Sequence, residues 1–219
     1  MSFLDRASSF QRSGFERAPF VFCYDISSPR QARAVLKRLR AWRLDGQLSL
    51  HEVVITPPQA EELGAQLLEL INPETDSLIL FRLSRRGDGP VYALARTDSA
   101  APLACQAHPV PNYPGDGWFV VSYDIRDARR LKQVQRVTSG YAAYLQRSVY
   151  LFCGPGSQLK AMTAAVLSLL EHGEDDMRLY PLSGPDDLWF LCGDSPPVVG
   201  AGMEPLSPRE WPGSSPAWL

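Results

Sequence analysis

The chain is poor in the features that would mark it as secreted, membrane-bound or built around a metal. Its 219 residues include only four cysteines, Cys23, Cys105, Cys153 and Cys192, with no Cys-x-x-Cys pair. Three of them sit in apolar, strand-like runs, which predicts buried free thiols without disulfides or zinc. No apolar run approaches the roughly 18 residues that a bilayer crossing needs, and residues 1–6 lack the apolar stretch of a signal peptide, so the expected location is cytoplasmic, with no membrane partner. The three histidines, His51, His108 and His172, are far apart and have no ligand spacing, so they read as structural or exposed. Ser27, Ser28, Ser122 and Ser148 have no His-Asp partner set, which excludes serine catalysis. The net charge of −2 also lacks the basic excess of a nucleic-acid binder.

What the chain does have is a repeated apolar strand that ends on a carboxylate. Phe20-Val21-Phe22-Cys23-Tyr24-Asp25-Ile26 is matched by Trp118-Phe119-Val120-Val121-Ser122-Tyr123-Asp124-Ile125, so Tyr-Asp-Ile recurs 99 residues on. Asp is a poor strand former and costly to bury without a partner, so two such carboxylates require an explanation. Each strand leads into a basic segment. Arg30, Arg33, Lys37, Arg38, Arg40 and Arg43 follow the first without an intervening acid; Arg126, Arg129, Arg130, Lys132, Arg136 and Arg147 follow the second. Over half of the 22 Lys and Arg therefore lie in two short regions, while acids gather at Glu61, Glu62, Glu69, Glu74 and Asp76 and again at Glu171, Glu174, Asp175 and Asp176. This distribution predicts a basic face and an acidic face despite the balanced total.

Taken in order, residues 1–18 read as a flexible N-terminal arm. Residues 19–26 form a strand apolar enough to be buried on both faces. Ser28 is a helix N-cap and Pro29 an N1 residue, ahead of a helix that places Ala32, Val35, Leu36, Leu39 and Trp42 inward and that Asp45-Gly46 stops. Residues 48–56 are strand-like, and Thr56-Pro57-Pro58 caps a second helix with Leu63, Leu67, Leu70 and Ile71 inward. Residues 77–83 and 91–95 read as a hairpin. Residues 97–116 are a Pro-rich linker. The second unit repeats the scheme: a strand to Ile125, a helix carrying Leu131 and Val134, a middle strand over 144–153, a helix capped by Gly156-Ser157, and a hairpin from 177–182 with 188–192. Residues 194–219 form a Pro- and Gly-rich tail in which Trp211 and Trp218 are either disordered or anchors for a partner protein.

The repeated unit is thus read as β-α-β-α-β-β, and the fold as α+β: two tandem ferredoxin-like (split βαβ) domains, at 19–96 and 117–193. Helices cover one face of each sheet only. Packing sheet on sheet, as an intramolecular pseudo-dimer, would bury the other faces.

On these residues the chain resembles the CRISPR-associated protein Cas2 family, small adaptation proteins, in a tandem duplication. Tyr24-Asp25-Ile26 and Tyr123-Asp124-Ile125 resemble the family's first-strand ending, Gln146-Arg147-Ser148-Val149-Tyr150 its Gln-x-Ser-Val-aromatic middle strand, and residues 72–78, Asn-Pro-Glu-Thr-Asp-Ser-Leu, its approach to the following strand. In the first unit Leu50-His51-Glu52-Val53 stands at the middle-strand position, so that motif is expected to be lost there. The resemblance implies a role in CRISPR spacer acquisition, an antiviral defence, as a scaffold that holds double-stranded DNA (the prespacer) and docks the Cas1 integrase. The alternative it implies is an Mg²⁺-dependent endonuclease cleaving RNA or DNA, with Asp25 and Asp124 as its catalytic and metal-binding pair. Two carboxylates, several waters and a substrate phosphate make a reasonable Mg²⁺ shell. Read as residues alone, each Asp could equally cap the following turn or pair with an arginine of the first helix. The candidate nucleic-acid contacts are Arg30, Arg33, Lys37, Arg126, Arg129 and Arg130, against the plainer reading of a solvated helix face.

Overall fold

A computed structural model of the chain describes residues 16–47, 49–83, 91–93, 104–105, 116–171 and 173–192. Much of the proposed arm, the 97–116 linker, the 194–219 tail with Trp211 and Trp218, and His108 and His172 lie outside these residues.

The first unit runs β1 (Ala18–Asp25), α1 (Pro29–Leu39), β2 (Arg43–Gln47), β3 (Leu50–Ile55), α2 (Pro57–Leu68) and β4 (Ser77–Arg82). The second runs β7 (Asp116–Asp124), α3 (Ala128–Ser139), β8 (Ala143–Gln146), β9 (Val149–Pro155), α4 (Gly156–Leu167) and β10 (Asp176–Leu182). Two short strands, β5 (Val91–Ala93) and β6 (Ala104–Cys105), lie between the units, and β11 (Leu188–Cys192) follows. Each unit is therefore β-α-β-β-α-β, the ferredoxin-like order, and not the β-α-β-α-β-β expected from sequence. The expected single middle strand is in fact a tight edge hairpin. Its turn in the second unit places Ser148 at φ 61°. Asp45-Gly46 does not stop the first helix; it lies inside β2, and α1 ends earlier, at Leu39.

Local chemistry explains the helix starts. The Ser28 side chain accepts from the Gln31 N–H with Pro29 opening α1, and Thr56 forms a capping box with Gln59 at the start of α2. Asp127, unnoticed in the sequence, caps α3 by accepting from the N–H groups of Arg129 and Arg130. The Gly156-Ser157 cap expected for α4 is not present: Pro155 holds the N-cap position without a side-chain bond, and Gly156 already begins the helix.

The sheets have the orders β11-β4-β1-β3-β2 and β6-β5-β10-β7-β9-β8. Neither expected terminal hairpin forms. Strand β5 leaves the first unit to pair with β10, and β11 leaves the second to pair with β4, aligning Leu188 with Phe81 and Phe190 with Ile79. Sequence neighbours usually pair, but here tertiary contacts override the habit. Asp187, 4% exposed at its side chain, bonds Arg82 at 2.8 Å and fixes the entry to β11 on the first sheet. Trp189 and Leu191 then join that sheet's helix-side core.

The layers run helices, sheet, sheet, helices. Phe20, Phe22 and Tyr24 of β1 face α1 and α2, while Val21 and Cys23 face the second sheet. Between the sheets lies one core containing Ile79 and Phe81 from the first and Val120, Leu151 and Tyr180 from the second. The pseudo-dimer is thus the packing that buries both open sheet faces. Cys23 is buried and Cys153 and Cys192 are half-buried, none of the three in a disulfide; burial raises the pKa of Cys23 well above the usual thiol range and that of Cys192 to about 11.

Candidate functional site

The two strand-end carboxylates meet at one cleft. Asp25 ends β1 and Asp124 ends β7, and both line a cavity of about 320 Å³ with Gln47, Ser49, Arg147 and Ser148. Asp25 is exposed, Asp124 half-buried. Among the described residues the Asp25 carboxylate has no hydrogen-bond or ion-pair partner, so the capping and arginine-pairing roles considered for it from sequence are not in use.

The turn after each strand-end aspartate is held by another carboxylate, one in each unit. Asp76, 2% exposed, accepts from Ser27 N at 3.0 Å, Ser27 Oγ at 2.8 Å and Asn72 N at 3.0 Å. Asp175, fully buried, accepts from Arg126 N at 3.1 Å, Glu171 N at 2.9 Å and the Arg130 guanidinium at 2.8 Å. Burial pushes both pKa values up, but these hydrogen bonds outweigh it and hold both below the usual carboxylate range. Each therefore pins the turn that follows a cleft aspartate. Asp76, Asp175 and Asp176 are buried and do not belong to the acidic face expected from sequence.

Each unit sends a glutamine across to the other. Gln47, at the end of β2, accepts from Ser122 Oγ of β7 at 2.8 Å and donates to the Asp176 carbonyl at 3.4 Å. Gln146, at the end of β8, accepts from Ser77 Oγ of β4 at 3.0 Å. The two glutamines are 99 residues apart, the same step as the aspartates. The Gln-x-Ser motif is therefore retained in the first unit, as Gln47-Leu48-Ser49-Leu50, and its expected loss is corrected. Matching on apolar Val53 and Val149 hid it; counting 99 residues back from Gln146 would have found it. Backbone bonds confirm the equivalence, with Tyr24 N donating to the Ser49 carbonyl at 2.9 Å and Tyr123 N to that of Ser148 at 3.1 Å.

Among the predicted basic contacts, Arg30, Arg33, Lys37, Arg126 and Arg129 are exposed on or beside α1 and α3. Arg130 is committed within the fold, to Asp175 and, at 2.8 Å, to Glu174; its pKa is raised by these bonds. His51 is fully buried, 3.3 Å from the Tyr24 hydroxyl and stacked on its ring, which agrees with a structural role.

A repeated ferredoxin-like unit with paired strand-end aspartates agrees with the sequence comparisons. The family described as CRISPR associated protein Cas2 matches twice, at residues 19–90 and 117–187. The chain belongs to the CRISPR-associated protein Cas2 family. Among similar proteins is the CRISPR-associated endoribonuclease Cas2 of Allochromatium vinosum, 51% identical over 57 residues, or 26% of this chain and 61% of that protein. CRISPR-associated endoribonuclease Cas2 1 of Nitrosomonas europaea is 41% identical over 66 residues, 30% of this chain and 63% of that protein. The protein of the same name from Thermodesulfovibrio yellowstonii is 30% identical over 80 residues, 36% of this chain and 87% of that protein. A solved structure of a hypothetical protein, TT1823 from Thermus thermophilus, is 28% identical, with a TM-score of 0.31, covering 32% of this chain and 85% of its own. The matches thus span about three fifths of the length of the first two relatives. These three relatives each align with 26% to 36% of this chain, in keeping with its two matches to the Cas2 family.

Proposed function

We propose that this chain acts in CRISPR spacer acquisition as a ready-made Cas2 pseudo-dimer that holds double-stranded DNA and docks the Cas1 integrase. The observation that carries the reading is the placement of exposed arginines on corresponding helices of two joined units. Arg30 and Arg33 lie on α1, Arg126 and Arg129 beside and on α3, and neither helix has an acid in its first turn. Basic groups so placed neutralise backbone phosphates and release counterions, giving affinity without sequence preference. Arg130 is left out of this surface because the fold already uses it.

The test is duplex DNA binding by the full chain, wild type and with Arg30, Arg33, Arg126 and Arg129 changed to Glu, across a salt series. Binding should weaken sharply in the variant, and each lost phosphate contact should reduce the salt slope by about 1. Equal affinity and equal slope would sink the DNA-holding role. Assembly with Cas1 on a short duplex, read by size, tests the docking role.

A second reading, metal-dependent cleavage of RNA or DNA, is favoured by the convergence of Asp25 and Asp124 on one cleft and by the endoribonuclease names of the relatives. The donor set fits Mg²⁺ in kind, being two carboxylates with serine and glutamine oxygens nearby. Asp25 and Asp124 would hold the ion, which when bound would offset phosphate charge and acidify water. Among the described residues no third acidic, histidine or cysteine group completes a protein metal cluster. Arg147 lines the same cleft and would hold a substrate phosphate against it.

A further inference from the structure

The core between the sheets is not the same on its two sides. Stepping by 99 residues pairs Glu52 with Leu151, Arg178 with Ile79, Tyr180 with Phe81 and Asp176 with Ser77. On one side, Leu151 of the second sheet and Ile79 and Phe81 of the first belong to the apolar layer. On the other, Arg178 of β10 donates to Glu52 Oε1 of β3 at 2.8 Å and bonds Asp176 Oδ2 at 3.0 Å, while Tyr180 Oη donates to the same Glu52 oxygen at 2.9 Å. Glu52 is 0% exposed, Arg178 2%, Tyr180 0% and Asp176 4%, so this charged network is sealed inside the interface.

We propose that the network is a pairing code, which makes the sheet face of the first unit accept only the face of the second, and excludes a second copy of itself. When the first sheet meets the second, one Glu52 finds one Arg178, and the mirror position is apolar on both sides. If two first sheets met, each would bring Glu52 against Ile79 and Phe81, with no arginine from the opposing face. If two second sheets met, each would bring Arg178 and Tyr180 against Leu151, with only Asp176 of the same strand left to the guanidinium and no Glu52 to accept from Arg178 and the Tyr180 hydroxyl. A buried charge stripped of its partner is strongly destabilising, whereas a buried pair replaced as a whole by packed apolar groups is often tolerated. The pair therefore adds little to the correct assembly that hydrocarbon could not supply, but it penalises both wrong ones, as polar groups do when they fix register in other interfaces. A duplicated gene product needs such a device because its two faces began alike, and an apolar layer alone has weak directionality.

The test grafts the apolar side onto the charged side of the full chain, with Glu52→Leu, Asp176→Ser, Arg178→Ile and Tyr180→Phe together. Each replacement is the residue that the other half already carries at that position. Two preparations bearing different tags are mixed, unfolded, refolded together over a range of concentrations, and followed by light scattering and capture through one tag. Wild type should return as monomer, with little of the second tag retained. The graft should form dimers in a concentration-dependent way, with at least tenfold more co-capture, because like-with-like pairing is no longer penalised. A graft that refolds with no more co-capture than wild type would overturn the pairing code. If the graft does not refold, the variant Glu52→Gln/Asp176→Asn/Arg178→Met, which removes every charge of the network at nearly constant volume, is put through the same mixing experiment and judged by the same criterion.

Discussion

The two units match residue for residue where the chain holds its shape and differ where the halves face each other. Asp76 and Asp175 secure the same turn, Gln47 and Gln146 reach across the same axis, and Asp25 and Asp124 end the same strand. Even a changed residue can keep its place. Tyr24 stacks on His51 with centroids 5.6 Å apart and planes at 29°, and Tyr123 stacks on Tyr150 at 5.8 Å and 28°. The intersheet core is different, since Glu52, Arg178 and Tyr180 occupy the positions that Leu151, Ile79 and Phe81 hold in the other half. Duplication freed the two halves of a pseudo-twofold from having to be complementary to themselves. A true twofold places the same residue on both sides of its axis; this chain no longer has to.

The largest effect should come from the cleft, where the units are most nearly equivalent. If cleavage depends on both carboxylates, Asp25→Asn and Asp124→Asn should each lower the cleavage rate by on the order of 10²-fold, and the double variant little further, because the groups act together. Cleavage assays on single-stranded RNA and duplex DNA read this directly. Unequal losses would show that the cleft has become one-sided. Undiminished cleavage by the double variant would remove both aspartates from the chemistry.

Next come the buried carboxylates that hold the turns. Asp76→Asn breaks charge-assisted bonds and should cost about 1–3 kcal/mol. Asp175→Asn should cost more, about 3 kcal/mol or above, because it also leaves the Arg130 guanidinium with only Glu174. Denaturant midpoints at an unchanged slope would measure both. Equal costs would mean that the arginine adds nothing to the second unit. Smaller again are Gln47→Ala and Gln146→Ala, at about 1 kcal/mol each. Gln47 should be the costlier because it bonds two groups across the axis, the Ser122 hydroxyl and the Asp176 carbonyl, whereas Gln146 bonds the Ser77 hydroxyl.

Much of this was legible in the sequence because it depends on local pattern. The strand ending in Tyr-Asp-Ile, the Ser28-Pro29 and Thr56-Pro57 helix starts, and the duplication all follow from residues a few positions apart. The exchange of β5 and β11 was not legible, since each follows a strand closely enough for a hairpin and it takes the packing of Trp189 and Leu191 on the first unit's helices, with the Asp187–Arg82 bond, to send β11 elsewhere. The cleft aspartates stood out because a carboxylate is anomalous at the end of an apolar strand. Gln47 did not stand out, because its value lies in Ser122, 75 residues away. Glu52 and Arg178 were hidden in the same way: each looks like an ordinary strand charge until the two sheets close on them.

The smallest expected effect separates the turn-holding carboxylates from the rest by pH. Asp76 and Asp175 are both depressed in the folded chain and return to about 3.9 when it unfolds. For a depressed acid the folded state gives up its proton more readily than the unfolded one, so its contribution is complete above the unfolded pKa. That contribution is lost as pH falls from about 4 through the lower folded value, and below both values none remains. Stability of the wild type should therefore decline on acidification in that window. Replacing one aspartate by Asn removes its share of the decline, and Asp76→Asn with Asp175→Asn should flatten the curve by the sum of the two, since the sites lie in separate units and share no hydrogen-bond partner. The measurement is the denaturant midpoint from pH 5 to 2 for the four proteins. A double variant whose midpoint falls as steeply as wild type would place the acid sensitivity elsewhere, and flattening by only one of the two single substitutions would show that the units differ in their turns as well as in their core.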